Sequence, residues 1–412
     1  MSKELAAVAK TIAAPGKGLL AMDESNRTCN KRFEDVGIAP TEENRRAYRE
    51  LILTTPGLGD SISGAILYDE TIRQTRKDGT PFIKVLTKAG IIPGIKVDTG
   101  AKDLAGHPGE KITEGLDGLR ERLAEYYKLG ARFAKWRAVI KIGEGIPSHG
   151  CVEANAHALA RYAALCQEGG VVPIVEPEVL MDGDHIIERC YETTEKVLRT
   201  VFNQLHAQRV AFELMILKPN MVMPGKECPK RADVAQVAEA TVTCLLRAVP
   251  AAVCGVAFLS GGQSSALASA HLNAMNGKFG SRIPWPLTFS YARAIQQPVL
   301  QLWQGLDANA KIAQDALLYR AKCNSAARQG KYSEEMEHAE PALVGSEGLH
   351  SHQGKASKSN GAKIREGAGR FFAPKGLQGS AEFQSLGIFN ETDSSERASE
   401  TLEGLARSHQ WV

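Results

Sequence analysis

The sequence predicts an α/β fold in which eight parallel strands close into a (β/α)8 TIM barrel. Short apolar runs, each about as long as one strand, recur along the chain with charged segments between them. The runs are GLLAMD (18–23), SGAILYD (63–69), IIPGIKVD (91–98), ARFAKWRAVI (131–140), VVPIVEPEVL (171–180), VAFELMILKP (210–219), AVCGVAFLS (252–260) and WPLTFSY (285–291). Eight such units over roughly 320 residues are the number at which a parallel sheet closes into a barrel.

The segments between the runs carry apolar residues three and four positions apart, which is the spacing of amphipathic helices. Examples are 43–54, 116–129, 157–166, 184–208 and 231–249. Strands that alternate with helices form parallel sheets through right-handed crossovers. An open, doubly wound sheet remains the alternative on this pattern alone. The barrel makes the more specific prediction, because its catalytic residues must lie at the carboxyl ends of the strands.

Charge and cysteine content exclude several classes of function. The 412 residues include 50 basic and 47 acidic side chains, a balance that predicts neither nucleic-acid nor membrane binding. Eight cysteines are scattered without a C-x-x-C motif, so the sequence indicates neither a zinc site nor a disulfide framework and fits a reducing compartment. The histidines are likewise dispersed, without a paired ligand spacing. We therefore expect no metal.

Ionisable residues lie at the carboxyl ends of most of the runs. They include Asp23, Lys96 with Asp98, Lys135 with Arg137, Glu176 with Glu178, and Lys218. A single lysine beside a strand usually extends its ammonium into solvent. Three lysines that end three strands of a closed barrel would instead converge on one cavity with the carboxylates. Because crowded ammonium groups repel one another, we expect a lowered lysine pKa and an amine that attacks a carbonyl.

A glycine pair after the seventh run predicts an anion site. Ser260, Gly261 and Gly262 precede a helix that begins near residue 266, where backbone N–H groups can approach a phosphate. Taken alone the motif is also compatible with a plain turn. Arg293 follows the eighth run and could hold the same anion, while Arg32 after the first run offers a second phosphate contact or a solvated surface charge.

Longer segments resemble class I fructose-bisphosphate aldolases. They are KGLLAMDES (17–25), TEENRRAYRELILT (41–54), PGIKVD (93–98), GARFAKWR (130–137), VPIVEPEVLMDGDH (172–185), LKPNMVMPG (217–225), FLSGGQS (258–264) and LTFSYARA (287–294). The resemblance runs from about residue 3 to about residue 337, in the order and spacing of the family. The SYAR form, with Ala292 where many animal members have glycine, is similar to plastid and cyanobacterial members.

The resemblance implies a role for each residue of the catalytic set. Lys218 matches the lysine that forms the Schiff base, and Glu176 matches the acid/base of carbinolamine dehydration, with Glu178 on the same face of the strand. Asp23 matches the carboxylate near the C4 hydroxyl. Lys135 and Lys96 match charged residues that hold the substrate and tune the site.

The resemblance also implies two sets of substrate contacts. Ser260, Gly261, Gly262 and Arg293 would surround the C1 phosphate. At the other end of the substrate, the matching residues are Ser25, Thr28 and Arg32. Ser290 would face the cavity.

The C-terminal part departs from the family pattern. We expect an aldolase barrel over residues 1–340 and a flexible, weakly hydrophobic tail over 341–412, with basic residues in 355–375 and acidic ones in 391–403. An interaction tail and read-through of noncoding sequence are both compatible with this composition. The last tyrosine is Tyr332, whereas many members end in a tyrosine that aids proton transfer. The step that depends on that tyrosine should therefore be altered, as in bacterial members that lack it, or be supplied by another group.

The resemblance implies reversible cleavage of fructose 1,6-bisphosphate to dihydroxyacetone phosphate and glyceraldehyde 3-phosphate, without metal or other cofactor. It further implies a homotetramer whose partners are sugar phosphates, in the cytoplasm or, as a mature protein, in the plastid stroma. The nearest alternative is another Schiff-base barrel lyase that acts on a related phosphorylated sugar, including sedoheptulose 1,7-bisphosphate. A non-catalytic barrel that binds sugar phosphates or a protein partner is an alternative from another class.

Overall fold

A closed parallel barrel organises residues 2–338, the part of the chain that the computed structural model describes. The strands in this part are β1 Gly18–Met22, β2 Ile62–Leu67, β3 Ile92–Lys96, β4 Gly100–Asp103, β5 Lys111–Glu114, β6 Phe133–Ile140, β7 Val172–Val179, β8 Ile216–Leu217, β9 Gly255–Phe258 and β10 Leu287–Tyr291. Eight of them close in the order β1-β10-β9-β8-β7-β6-β3-β2, which confirms the predicted fold class. The predicted tail, 341–412, lies outside the described residues, so its flexibility stays a prediction.

Helices follow nearly all of the barrel strands. They are α1 Ser2–Ile12, α2 Asn26–Glu34, α3 Glu42–Leu53, α4 Asp69–Arg73, α5 Phe82–Lys88, α6 Leu119–Leu129, α7 His149–Glu168, α8 Ile187–Ala207, α9 Val234–Ala248, α10 Ser265–Phe279, α11 Arg293–Trp303, α12 Ala310–Arg328 and α13 Glu335–His338. Between residues 2 and 338, no helix combines the length and apolar content that a membrane crossing requires.

Local capping explains where several helices begin. The Asp233 carboxylate accepts the backbone N–H of Gln236, whose side chain accepts the backbone N–H of Asp233 in return, and this capping box starts α9. In α7, the Ser148 hydroxyl accepts the backbone N–H of Cys151 at 3.1 Å. This helix therefore begins at His149, earlier than the predicted segment 157–166.

Two details of the predicted strands are wrong. The run 210–219 is not one long strand, because Phe212–Leu214 forms a turn of 3-10 helix and only Ile216–Leu217 pairs with β7 and β9. The hairpin of β4 and β5, which pair antiparallel to each other outside the barrel, was not predicted from the sequence. The hairpin strands are four residues each and partly polar, so they contain no apolar run that would predict a strand.

The barrel interior is filled by apolar side chains and is closed at one end by α1. Buried residues of this interior cluster include Leu5 and Ile12 from α1, Leu19 from β1, Phe133 from β6 and Ile216 from β8. Outside the barrel, a second and larger core joins the strands to the surrounding helices. The floor of the barrel is therefore a packed core, and the open end is the one where the strands terminate.

Phe133 occupies space that Gly94 on β3 leaves open. A Cβ atom built on Gly94 would lie 2.1 Å from Cε2 of Phe133, far inside van der Waals contact. We therefore expect Gly94→Ala to lower the free energy of unfolding by about 1–3 kcal/mol through overpacking. Urea denaturation followed by circular dichroism measures this.

Gly277→Ala provides the matched control, because Gly277 lies exposed within α10 and a Cβ there would meet no atom within 4 Å. Alanine at this helical position should leave stability unchanged or raise it by up to about 1 kcal/mol. If Gly94→Ala is as stable as Gly277→Ala, the tight contact described for Phe133 is wrong.

Candidate active site

A cavity of about 420 Å³ opens at the carboxyl ends of the barrel strands. Of the residues predicted for the site, it is lined by Asp23, Ser25, Thr28, Arg32, Lys96, Lys135, Glu176, Glu178, Lys218, Ser260, Gly261, Ser290 and Arg293. Gly262 lies next to the cavity, because a Cβ atom built on it would be 3.2 Å from Nη2 of Arg293. The structure thus brings together all fourteen residues that the sequence proposed.

The strand register places the catalytic candidates on neighbouring strands. Lys96 on β3 lies opposite Lys135 on β6, and Arg137 on β6 lies opposite Glu176 on β7. Lys218 follows β8 directly, and its backbone N–H donates to the carbonyl of Val175 at 2.8 Å. Since side chains alternate across a strand, this register lets Lys135 and Glu176 both point into the cavity, and a slip of one residue would turn one of them away.

Lys135 lies between two carboxylates at the bottom of the cavity. Its Nζ is 2.6 Å from Oδ2 of Asp23 and 3.2 Å from Oε2 of Glu176. The other oxygen of Glu176, Oε1, is 3.0 Å from Nζ of Lys218. Lys135, Glu176 and Lys218 each expose only about 3% of their surface. The four side chains therefore form a buried chain of alternating charge, in the order Asp23, Lys135, Glu176, Lys218.

This alternation corrects the expected effect of lysine crowding. Burial on its own would lower the pKa of Lys135, but the carboxylates of Asp23 and Glu176 outweigh it and raise that pKa. Burial would raise the pKa of Asp23 and of Glu176, yet Lys135 and Lys218 lower both values. The lowered pKa expected for Lys135 is wrong, because apolar runs give the number of lysines at the strand ends and do not place the carboxylates between them. Lys135 is thus a fixed cation and not a neutral amine.

Two further ion pairs surround the buried chain. Nζ of Lys96 is 2.7 Å from Oδ1 of Asp98, and the guanidinium of Arg137 pairs with Glu178 at 2.5 Å. The Asp98 carboxylate also accepts the backbone N–H groups of Arg137 and of Gly100, both at 3.2 Å. Asp98 and Arg137 were seen at strand ends in the sequence but received no role there. Their position indicates that they orient Lys96 and Glu178 at the wall of the cavity.

The glycine loop after β9 has the backbone of an anion site. Gly261 and Gly262 have φ values of 58° and 92°, a left-handed region in which glycine is favoured. The loop closes with a hydrogen bond from the Gln263 N–H to the Ser260 carbonyl at 3.0 Å, and α10 begins just beyond it. The nearby guanidinium of Arg293 adds a cation.

The other side of the cavity offers polar groups that lack a full set of partners. Arg32 pairs with Glu24, but its Nε and Nη2 are buried and have no hydrogen-bond partner among the described residues. Ser25 caps α2 by accepting the backbone N–H of Thr28 at 3.3 Å. The hydroxyl of Ser290 is buried and also lacks a partner within residues 2–338. Buried donors without partners indicate a place where a polar ligand binds.

Most cysteines in residues 2–338 are buried, and two of them have thiols held in the protonated form. Within residues 2–338, no group of three or more His, Cys, Asp and Glu side chains is placed to hold a metal ion. Burial raises the pKa of the Cys166 thiol, and it raises that of Cys244 to about 12. Such thiols are unreactive at neutral pH.

Tyr332 lies away from the cavity. Its hydroxyl donates to Oε1 of Glu337 at 2.7 Å, and its backbone N–H donates to the side chain of Asn273 at 2.9 Å. Burial and the hydrogen bond to Glu337 raise its pKa. The last tyrosine of the chain is therefore held against α10, where it cannot transfer protons in the cavity.

Comparisons with known proteins agree with the resemblance. Residues 4–349 match the family model of fructose-bisphosphate aldolase class-I, described as glycolytic. A probable fructose-bisphosphate aldolase class 1 of Xanthomonas campestris is 61% identical over 331 residues, which cover 80% of this chain and 98% of the relative. The chloroplastic fructose-bisphosphate aldolase 3 of Arabidopsis thaliana is 55% identical over 336 residues, covering 82% of this chain and 85% of the relative.

A solved structure shares the fold. It is the fructose-bisphosphate aldolase of Plasmodium falciparum in complex with TRAP and a small-molecule inhibitor. The TM-score is 0.79 at 48% sequence identity, and the match covers 81% of this chain and 96% of that one.

The buried charge chain predicts a pH-dependent loss of stability in Lys135→Met. We expect the free energy of unfolding to fall by about 3–5 kcal/mol at pH 7, because two buried carboxylates lose the cation between them. In the wild type, the lowered pKa values of Asp23 and Glu176 stabilise the fold at pH values above their unfolded-state pKa values of about 4. This contribution is lost as the pH falls through the folded-state pKa values.

In the variant these carboxyl groups should bind protons at higher pH, so the deficit should shrink as the pH falls from 7 towards 4. Urea denaturation at several pH values measures this. The control Lys311→Met removes an exposed pair with Asp315 and should cost no more than about 0.5 kcal/mol. A Lys135→Met deficit that does not change with pH would contradict the described coupling.

Proposed function

The chain belongs to the class I fructose-bisphosphate aldolase family, and we propose that it cleaves fructose 1,6-bisphosphate reversibly through a Schiff base on Lys218. The products would be dihydroxyacetone phosphate and glyceraldehyde 3-phosphate. Family members are lyases, and the observation that carries the proposal here is the contact of 3.0 Å between Nζ of Lys218 and Glu176 in a buried cavity. A nucleophilic amine needs an adjacent base to remove its proton, and this contact supplies one.

The substrate would lie across the cavity between the two groups of anion-binding residues. One phosphate would accept hydrogen bonds from the Ser260–Gly262 loop and from Arg293. The other would bind near Ser25, Thr28 and Arg32, whose Nε and Nη2 are free to donate. Lys218 lines the same cavity, so its amine would face the C2 carbonyl, which is bonded to the phosphate-bearing C1.

In the first step, Nζ of Lys218 attacks the C2 carbonyl after its ammonium has given a proton to Glu176. The oxygen takes a proton from the attacking nitrogen to give the carbinolamine. The carbinolamine then loses its hydroxyl as water when Glu176 returns its proton to that oxygen, and the bond between carbon and oxygen breaks. The product is a protonated imine on Lys218. Burial would raise the pKa of Glu176, but Lys135 and Lys218 lower it, so the carboxylate is ionised and can accept the first proton.

In the second step, Asp23 accepts the proton of the C4 hydroxyl and the C3–C4 bond breaks. The bonding electrons move into the protonated imine, which becomes an enamine, and the aldehyde product leaves. Lys135 and Lys218 hold the pKa of Asp23 below its usual value, so the carboxylate is ionised before the substrate binds. Lys135 itself would stay protonated and stabilise the negative charge that develops near C4.

We also propose a cytoplasmic homotetramer, on the strength of the family resemblance. Relatives include bacterial proteins and proteins named chloroplastic, so the plastid stroma is the alternative location. Light scattering on the purified protein would test the assembly, with four chains of 44.4 kDa expected in one particle. Relative cleavage rates for fructose 1,6-bisphosphate and sedoheptulose 1,7-bisphosphate would decide the preferred ketose.

Borohydride reduction with dihydroxyacetone phosphate tests the nucleophile. We expect one covalent adduct on the peptide that contains Lys218, formed only with substrate and accompanied by loss of cleavage activity. Lys218→Arg should form no adduct, because a guanidinium stays protonated and cannot attack. An adduct elsewhere, or none together with activity that a chelator abolishes, would overturn the Schiff-base proposal.

The proposed base is tested with Glu176→Gln. The amide cannot accept the proton of Lys218 or return it to the leaving hydroxyl, so the rate of adduct formation should fall by about 10²–10⁴-fold. Single-turnover trapping by borohydride measures that rate. Glu121→Gln, a change at an exposed position on α6, should leave it unchanged. Equal rates in the two variants would remove Glu176 from the mechanism.

A further inference from the structure

Lys226 is a second cation beside the glycine loop, in addition to Arg293. A Cβ atom built on Gly262 would lie 3.2 Å from Nη2 of Arg293 and 3.4 Å from Nζ of Lys226. Two cations thus approach one point next to the loop. Lys226 is not among the residues that line the cavity, and nothing in its sequence surroundings marked it as functional.

In the structure, Lys226 is paired with an acidic residue of the neighbouring loop. Its Nζ is 2.7 Å from Oδ1 of Asp182, and the two side chains are 40% and 54% exposed. We propose that Lys226 binds the substrate phosphate held by the glycine loop, and that it does so by exchanging Asp182 for the phosphate. This inference rests on the proposed function and adds an affinity-determining residue to it.

The backbone around Lys226 is fixed in place at the edge of the site. Its N–H donates to the Met181 carbonyl at 2.8 Å, and the N–H of Gly225 donates to the His185 carbonyl at 2.8 Å. A Cβ on Gly225 would lie 2.1 Å from the Gly183 carbonyl oxygen, so only glycine allows the two loops to approach this closely. The Lys226 side chain therefore starts from a fixed point.

The loop that carries Asp182 also touches the glycine loop. A Cβ on Gly261 would lie 2.6 Å from Sδ of Met181, so Met181 fills the space beside this glycine. The hydrogen bond from Lys226 lowers the pKa of Asp182, and the charge of Arg293 adds to the effect. Asp182 is thus an anion already within the field of both cations.

Charge balance explains why the pair should exchange. A bound phosphate brings up to two negative charges next to Arg293, where the Asp182 carboxylate would repel it and Lys226 would attract it. An exposed ion pair is held weakly, so little opposes its opening. The long flexible side chain of lysine can rotate its ammonium onto the phosphate without any movement of the backbone.

The two partners of the pair should have opposite effects when they are changed. Lys226→Met removes a charged donor, and we expect the Kd of dihydroxyacetone phosphate to rise about tenfold. Asp182→Asn removes the competing anion, and the same Kd should fall by about twofold to fivefold. The concentration dependence of borohydride trapping at Lys218 gives both constants. If the ion pair were purely structural, the Kd would change in the same direction in both variants.

Two controls separate phosphate binding from general damage. Trapping of unphosphorylated dihydroxyacetone should be unchanged in Lys226→Met, since that ligand lacks the group that Lys226 contacts. Lys278→Met, which removes another exposed lysine paired with Glu239 at 3.1 Å, should bind dihydroxyacetone phosphate like the wild type.

The possible outcomes distinguish this inference from the proposed function. Suppose that the wild type forms the adduct on Lys218. If Lys226→Met then keeps the wild-type Kd for dihydroxyacetone phosphate, or if Asp182→Asn binds this ligand more weakly, the proposed exchange is wrong and the aldolase mechanism stands. Parallel losses for dihydroxyacetone and its phosphate in Lys226→Met would also overturn it. If the wild type forms no adduct on Lys218, both proposals fail.

Discussion

The ammonium group of Lys135, held between the carboxylates of Asp23 and Glu176, is the interaction on which the site depends. If it were unpaired, each of these buried charges would destabilise the fold by several kcal/mol. Because their signs alternate, each charge offsets the cost of burying its neighbour. Lys218 extends the same chain and is the residue proposed to change its charge during the reaction. In the proposed mechanism, the cation of Lys135 stays in place while protons move to and from Lys218, Glu176 and Asp23 around it.

This arrangement is a consequence of strand register. Lys135, Glu176 and Lys218 come from β6, β7 and the end of β8, which are adjacent in the barrel. A slip of one residue in β7 would turn Glu176 away from the cavity and place Pro177 there instead. The packed interior below, with Phe133 fitted against the glycine of β3, fixes the register of these strands. The core of the barrel thus determines the geometry of the charges above it.

Most of this geometry could be predicted from the sequence, since the carboxyl ends of parallel strands converge in a barrel and polar residues at those ends must share a cavity. The ion pairs of the cavity could not be predicted, because the apolar runs do not show which charged side chains are neighbours. That is why the pKa of Lys135 was predicted in the wrong direction. Asp98 received no role for the same reason, although it holds Lys96. The contact of Lys226 with the glycine loop depends on two irregular loops, for which no sequence periodicity exists.

The most direct test of the account is a crystal structure of the chain after borohydride reduction with dihydroxyacetone phosphate. We expect continuous density from Nζ of Lys218 to C2 of the ligand, with the phosphate against the Ser260–Gly262 loop. Lys135 should stay between Asp23 and Glu176. An adduct on Lys135 or Lys96, or a phosphate bound away from the glycine loop, would contradict the assignment of nucleophile and anion site on which the mechanism is built.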